Sequence, residues 1–256
     1  MATSVAYVRH WFASRRWWRG ALRTVSRASR WLIPSRPAKY PFDRRHGMDT
    51  DGLFYSDQLS AGHEHDRHSA GYYATAPSLF HGAIALWSET LAESGQPLTD
   101  FTLVDVGCGK GRAVMLASEY GFREIVGVEL NSRLAAVAKK NLHKWLRSPR
   151  ACANVAVVHG DALSFPVPDG PVVLFFFNSF EQEMVEMWLD RLAHAASART
   201  HPIDLIYVHP EFDALVRRVP GMQAIAHAEI PFSAEDAAAD VFGVAVDDCA
   251  IYRLSR

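Results

Sequence analysis

What the chain has little of narrows it first. Its 256 residues carry only three cysteines, Cys108, Cys152 and Cys249, far apart and without a CxxC pair. Neither a disulfide framework nor a cysteine zinc site is indicated, and a reducing cytoplasm is the expected compartment. No apolar stretch reaches the ~18–20 residues that a membrane-spanning helix needs, and arginines break up any signal-peptide core. Acidic residues are absent from residues 1–42, which hold nine Lys or Arg. The formal charge of −1 therefore hides an asymmetry, because the rest of the chain carries eighteen basic against twenty-eight acidic residues. A domain of that sign lacks a basic face for nucleic-acid phosphate, and no nucleic-acid module is visible. No internal repeat appears. The histidines His63, His65 and His68 are spaced i, i+2, i+5, which suits no standard zinc helix, so no metal site is assigned and a solvent-exposed loop is expected there.

Residues 1–42 are chemically distinct from the rest of the chain. Val8, Trp11, Trp18, Leu22, Val25 and Leu32 recur near helical spacing, with Arg15, Arg16, Arg19, Arg23, Arg27 and Arg30 at the other positions. That is a basic amphipathic helix, with Trp11, Trp17, Trp18 and Trp31 available as anchors. Four roles fit it: docking on the adjoining domain, peripheral membrane contact through residues 1–33, an import peptide, or an arm on nucleic-acid phosphate. Membrane contact would make a cytoplasmic protein membrane-associated. Pro34, Pro37 and Pro41 end the helix and start a linker. The expected organisation is thus a helix and linker over 1–42, an irregular polar segment leading into a helical lid over 43–98, and a ligand-binding domain over 99–256.

That domain announces itself in Phe101-Thr-Leu-Val-Asp105-Val-Gly107-Cys-Gly109-Lys-Gly111-Arg112. An apolar strand ends in an acid and then in three glycines at every second position. Glycines so spaced let the backbone take positive φ and approach a ligand closely, and Ala113–Ser118 reads as the helix that closes the turn. A second strand, Glu124–Leu130, carries Glu129 at its tip, which makes the first half of a βαβ unit. Cys108 in the loop reads as a small residue approached by ligand rather than as a nucleophile. A dinucleotide site wants G-x-G-x-x-G; here the third glycine comes one residue early, and Asp105 would repel a pyrophosphate. A cationic ligand fits better.

The D-x-G-x-G-x-G loop, Glu129 and the Gly160-Asp161 pair after a third strand together resemble the class I S-adenosylmethionine (SAM) methyltransferases. The resemblance covers roughly residues 70–256 and implies SAM as cofactor. It assigns Asp105, Gly107, Gly109 and Gly111 to the methionine part, Glu129 to the ribose hydroxyls, and Asp161 with Ala162 to the adenine. An aromatic segment upstream of the glycine loop forms a lid in methyltransferases of similar layout, which points to Tyr72 or Tyr73. The implied fold is α/β, a Rossmann-like sheet of seven strands with helices on both faces, in which the seventh strand inserts antiparallel between the fifth and sixth.

The remaining strands can be counted from the pattern: Asn154–Val158, Pro171–Phe177, Pro202–Val208, Met222–Ile230 and Val244–Leu254, with helices over 79–87, 131–147 and 181–196. The reaction centre is expected at the end of the fourth strand, in Phe177-Asn178-Ser179-Phe180. Amino-directed DNA methyltransferases have Asn or Asp, two prolines and an aromatic there. This chain keeps Asn178 and Phe180 without the prolines, which counts against DNA amino methylation. Asn178 reads either as a residue that positions the acceptor or as an N-cap for the next helix. His209, after the fifth strand, is the candidate base for an acceptor that arrives protonated, and it is otherwise structural. Glu181 and Glu211 are further candidates for the rim. A small-molecule acceptor is favoured, with a protein lysine side chain as alternative. A catalytically idle SAM-binding subunit that presents its N-terminal helix to a partner is the reading from a different class, and a dehydrogenase is the least favoured.

Overall fold

Apolar runs and alternation between residues 102 and 254 become the seven strands of one sheet: Thr102–Val106 (β1), Glu124–Glu129 (β2), Val155–His159 (β3), Val172–Phe177 (β4), Ile203–Val208 (β5), Met222–Pro231 (β6) and Val246–Leu254 (β7). The computed structural model describes residues 39–54, 59, 63, 65, 71–92 and 95–256. The basic helix expected near the N-terminus, its candidate roles and His68 lie outside the described residues. The strand order is β3-β2-β1-β4-β5-β7-β6, parallel from β3 through β5, with β7 antiparallel between β5 and β6. This is the Rossmann-like arrangement that the resemblance implies. The order reverses between β1 and β4, and such a reversal opens a crevice at the carboxyl ends of the two strands.

The described helices are Pro41–His46 (α1), Pro77–Leu91 (α2), Arg112–Ala117 (α3), Ser132–Trp145 (α4), Gln182–Ser197 (α5), Asp213–Val216 (α6) and Ala234–Ala239 (α7). Because strand side chains alternate, each strand feeds two cores. Leu103, Ile125, Val173, Phe175, Ile206 and Ile251 meet Leu79, Phe80, Ile84 and Trp87 of α2, Met115 of α3 and Leu142 of α4. Val104, Val126, Leu174, Phe176, Leu205 and Tyr252 meet Met184, Val185, Trp188 and Leu192 of α5 on the other face. Asn131 starts α4 by accepting hydrogen bonds from Arg133 N and Leu134 N at 3.0 and 3.1 Å, an N-cap that satisfies two orphan donors.

The segment expected to be a linker and an irregular polar loop begins differently. Pro41 sits in the first turn of α1, where its missing N–H costs nothing, and Gly47 ends the helix in the left-handed conformation. Asp43 is fully buried: it accepts from Thr50 N at 2.6 Å, from Asp51 N at 2.7 Å and from the Thr50 hydroxyl. The expected boundary at residue 42 therefore falls inside a helix. A six-residue helix is too short to reveal a periodicity, so its packing is invisible in the pattern.

An ion pair with a buried carboxylate and a partly exposed guanidinium ties the sheet to α2. Asp204 on β5, 1% exposed, accepts from Arg253 Nε and Nη2 on β7 at 2.7 and 2.8 Å and from the Trp87 indole at 2.9 Å. The Arg253 guanidinium is held above its ordinary pKa, chiefly by that hydrogen bond. Removing one member of such a pair strands the other charge. Arg253→Ala should lower unfolding free energy by about 3 kcal/mol in chemical denaturation, since it strips the buried Asp204 of its guanidinium.

Candidate functional site

The crevice at the β1/β4 reversal is lined by Asp105, Gly107, Cys108 and Gly109 from the glycine loop, by Glu129 and Asn131 after β2, by Gly160, Asp161 and Ala162 after β3, by Phe177 and Ser179 after β4, and by Tyr72, Tyr73 and Thr75 from the upstream segment. Gly107 and Gly109 adopt φ of 78° and 54°, a region that side chains disfavour. Space forbids a side chain as well. A Cβ on Gly107 would lie 2.6 Å from Ser179 Cβ, and one on Gly109 would lie 2.6 Å from Tyr72 Cδ2 and closer still to Cε2. Tyr72 thus packs onto the loop, with its hydroxyl donating to Thr50 O at 2.5 Å. Gly111 lines no part of the cavity; it precedes α3 and abuts Ala138 of α4.

Three carboxylates from three consecutive strand ends face this crevice. Asp105 is 4% exposed, and its Oδ2 has no hydrogen-bond partner among the described residues. Burial, reinforced by the charge of Glu129, pushes its carboxyl up to about 8. Glu129 is also buried; it accepts from Gly109 N at 2.7 Å and Asn131 N at 2.8 Å. Its carboxyl is raised by desolvation, against which those two backbone bonds act. Asp161 accepts from Leu163 N at 2.9 Å and pairs with His65 Nδ1 at 2.9 Å. His65 is therefore largely covered and engaged at the cavity wall, not in a solvent-exposed loop; its neighbour His63 is exposed. Asn131 Nδ2 likewise donates to Leu59 O, and Leu59 also lines the cavity. Cys108 is packed against Gly127, where a Cβ would meet its Sγ at 2.8 Å, and burial pushes its thiol up. An un-ionised buried thiol is a poor nucleophile.

Two buried cations beside the loop have no distinguishing mark in the pattern. Arg112, 2% exposed, donates from Nε to Thr50 Oγ1 at 2.7 Å and from Nη1 to Thr75 O at 3.2 Å; its guanidinium lies 4.1 Å from the Tyr40 ring centroid. Its Nη2 has no hydrogen-bond partner among the described residues, and Arg112 lines the same cavity as Asp105. Lys110 donates to Asp49 Oδ1 at 2.9 Å and Asp51 O at 2.7 Å. Residues 40–54 thus clasp the loop from outside, with Thr50 bridging Arg112 to Asp43. In the sequence Arg112 looks like any helix-surface arginine, and only its place directly after the third glycine hints at burial.

Asn178 and His209 do not line the cavity, although Phe177 and Ser179 on either side of Asn178 do. Asn178 Nδ2 donates to Glu211 Oε2 at 3.0 Å, and its Oδ1 accepts from the Tyr207 hydroxyl at 3.1 Å. Helix α5 takes its N-cap from Glu181 without a side-chain hydrogen bond, so neither Asn178 nor Ser179 caps it; Ser179 Oγ donates to Val106 O at 3.0 Å instead. His209 Nδ1 pairs with Asp247 Oδ1 at 2.9 Å. Both Asn178 and His209 have positive φ, 45° and 53°, at the ends of adjacent strands. Gly109→Ala should cost roughly tenfold or more in affinity for any ligand of this loop, measured by calorimetry on folded protein, because it drives Tyr72 off the loop and strains φ.

Residues 103–201 match the model of the family described as methyltransferase domain. No curated protein matches the chain. Similar solved structures include magnesium protoporphyrin IX methyltransferase from Synechocystis PCC 6803 with bound SAM, at 11% identity and a TM-score of 0.46, covering 68% of this chain and 79% of that one. N-methyltransferase NodS from Bradyrhizobium japonicum WM9 has 9% identity and a TM-score of 0.47, covering 70% and 98%. An RNA methyltransferase from Salinibacter ruber in complex with S-adenosyl-L-homocysteine has 16% identity and a TM-score of 0.40, covering 66% and 90%. The family match over residues 103–201 agrees with the strand order and with the glycine loop joined by an acid at each of two further strand ends, so residues 103–201 carry a methyltransferase domain.

Proposed function

We propose that the protein is an enzyme that transfers a methyl group from SAM to a small-molecule acceptor. The observation that carries this reading is the convergence of Asp105, Glu129 and Asp161 on one cavity beside the glycine loop. The residues fit the cofactor. Asp105 Oδ2 and Arg112 Nη2, buried and unpartnered among the described residues, suit the ammonium and carboxylate of a methionine end. Glu129 retains acceptor capacity for two ribose hydroxyls, since a carboxylate offers about four lone-pair sites. Asp161 is suited to the adenine amino group. SAM, when bound, supplies an activated methyl on a sulfonium, so the protein has mainly to orient the partners and exclude water. Tyr72, Tyr73 and Thr75 wall the cavity together with Gly107 and Gly109, which favours an acceptor that fits within it.

Glu129→Ala removes the two hydroxyl acceptors, each worth roughly 1.5–3 kcal/mol when charge-assisted. SAM and S-adenosylhomocysteine should both bind about ten- to a hundredfold more weakly by calorimetry, and unchanged binding would remove Glu129 from the site. The raised carboxyl of Asp105 gives a second test. In the unfolded chain this group ionises at about 3.9, whereas in the folded protein it stays protonated up to about 8. The stability it contributes is complete below about pH 4 and is lost progressively as pH rises through about 8. An ammonium at Oδ2 favours the ionised form, so binding must expel a proton. S-adenosylhomocysteine affinity should therefore rise between about pH 6 and 8, with proton release seen by calorimetry in two buffers, and Asp105→Asn should flatten that rise.

A further inference from the structure

We propose that His65 is a positioning residue for the cofactor: it fixes the Asp161 carboxylate for the amino group of adenine, so that recognition of the base depends on a segment upstream of the sheet. This rests on the methyltransfer reading above, which takes SAM as the ligand. Asp161 lines the cavity and His65 does not, so the imidazole reaches the carboxylate from outside the space that a base would fill. The two oxygens of Asp161 are held separately. Oδ1 accepts from Leu163 N at 2.9 Å, and Oδ2 lies 2.9 Å from His65 Nδ1. A bond on each oxygen stops the carboxylate from turning about its own axis, while each oxygen keeps a further lone pair for a ligand. The two side chains are only 18% and 12% exposed, and a hydrogen bond in such a place is stronger than one in water.

The same segment reaches the other acid of the adenosine half. Leu59 lines the cavity, its carbonyl accepts from Asn131 Nδ2, and Asn131 N donates to Glu129 Oε1 at 2.8 Å. Leu59 and His65 thus bear on Glu129 through Asn131 and on Asp161 directly. His65 is itself steadied by its backbone N, which donates to His63 Nδ1 at 3.2 Å. Without His65 the Asp161 carboxylate would keep a single restraint, Leu163 N, about which it could swing. Adenine and hypoxanthine differ where this matters, since one presents an amino donor and the other a carbonyl acceptor. A carboxylate held in place accepts from the amino group and repels the carbonyl, and a site built to bond a group discriminates against an analogue that lacks it. To donate, His65 must carry its proton on Nδ1, so Asp161 fixes the tautomer in return. Asparagine is the conservative replacement, because its amide nitrogen stands as many bonds from the backbone as Nδ1 does.

The test uses the full chain and two ligands, S-adenosylhomocysteine and its deaminated analogue with hypoxanthine in place of adenine, both measured by calorimetry. The wild type should bind the adenine ligand roughly tenfold or more tightly than the analogue. His65→Ala should bring that ratio close to one by weakening S-adenosylhomocysteine, with the melting temperature near wild type. His65→Phe, which keeps a ring without a donor, should do the same, and His65→Asn should restore most of the ratio. In an Asp161→Ala background His65→Ala should change nothing further, since the histidine acts only through that carboxylate. Equal weakening of both ligands, which a mere covering role would produce, would overturn the proposal. So would an unchanged ratio in His65→Ala and His65→Phe, or an undiminished effect of His65→Ala in the Asp161→Ala background. A wild type that binds both ligands equally well would also overturn it, because Asp161 would then not read the base. A wild type that binds neither would instead overturn the methyltransfer reading beneath it.

Discussion

The burial of charge around the glycine loop is the constraint on which the site depends. Asp43, Asp105, Glu129, Lys110 and Arg112 are each less than a tenth exposed, and charge taken out of water must be balanced or neutralised. With Lys110 already paired to Asp49, the carboxylates beside the loop outnumber the cations. Asp105, the carboxylate with an unpartnered oxygen among the described residues, is the one whose carboxyl rises to about 8. By staying protonated it reduces that excess in the free protein. A ligand that brings an ammonium to Oδ2 offsets the charge of an ionised Asp105, which the pyrophosphate of a dinucleotide cannot do. The electrostatics of the pocket thus count against a dinucleotide for the same reason as the loop spacing does.

The clasp formed by residues 40–54 is the other half of this balance. Asp43 and Thr50 bring the compensating contacts to Arg112, and Asp49 and the Asp51 carbonyl bring them to Lys110. Without that segment two cations beside the loop would be left to solvent, and Tyr72 would lose the Thr50 carbonyl that seats it against Gly109. The region upstream of the sheet therefore supports the cavity wall and is not a spacer in front of it.

The sheet is legible in the sequence because buried parallel strands are continuous apolar runs and the glycine spacing is chemically specific. Strand ends agree to within two residues, and the antiparallel β7 comes only from the resemblance, since spacing carries no information on strand order. The clasp is not legible: Asp43 and Arg112 are residue types that ordinarily mark surface, and their burial depends on contacts made between distant parts of the chain. Asn178 stays between two roles in the sequence because Asn after a strand serves caps and sites alike. The left-handed φ that separates Asn178 from a cap is a backbone fact with no sequence signature, although Asn and His are the types that tolerate it. His65 looks solvent-exposed in the sequence for a related reason, as its partner Asp161 lies 96 residues away.

The reversal of strand order between β1 and β4 divides the site chemically as well as topologically. On the β1-β2-β3 side the polar groups are held by backbone donors: Glu129 by Gly109 N and Asn131 N, Asp161 by Leu163 N. Such bonds follow from the fold itself, so that half is suited to a ligand that does not vary. On the β4-β5-β7 side the organisation runs through side chains, Tyr207 to Asn178 to Glu211 and His209 to Asp247, at two left-handed positions. These can be exchanged without disturbing a ladder hydrogen bond. An in-line transfer requires the acceptor within ~3–3.5 Å of the methyl, whose place the glycine-loop half would set. On the proposed reading, discrimination between acceptors is left to the other half, whose groups are held by side chains rather than by backbone donors.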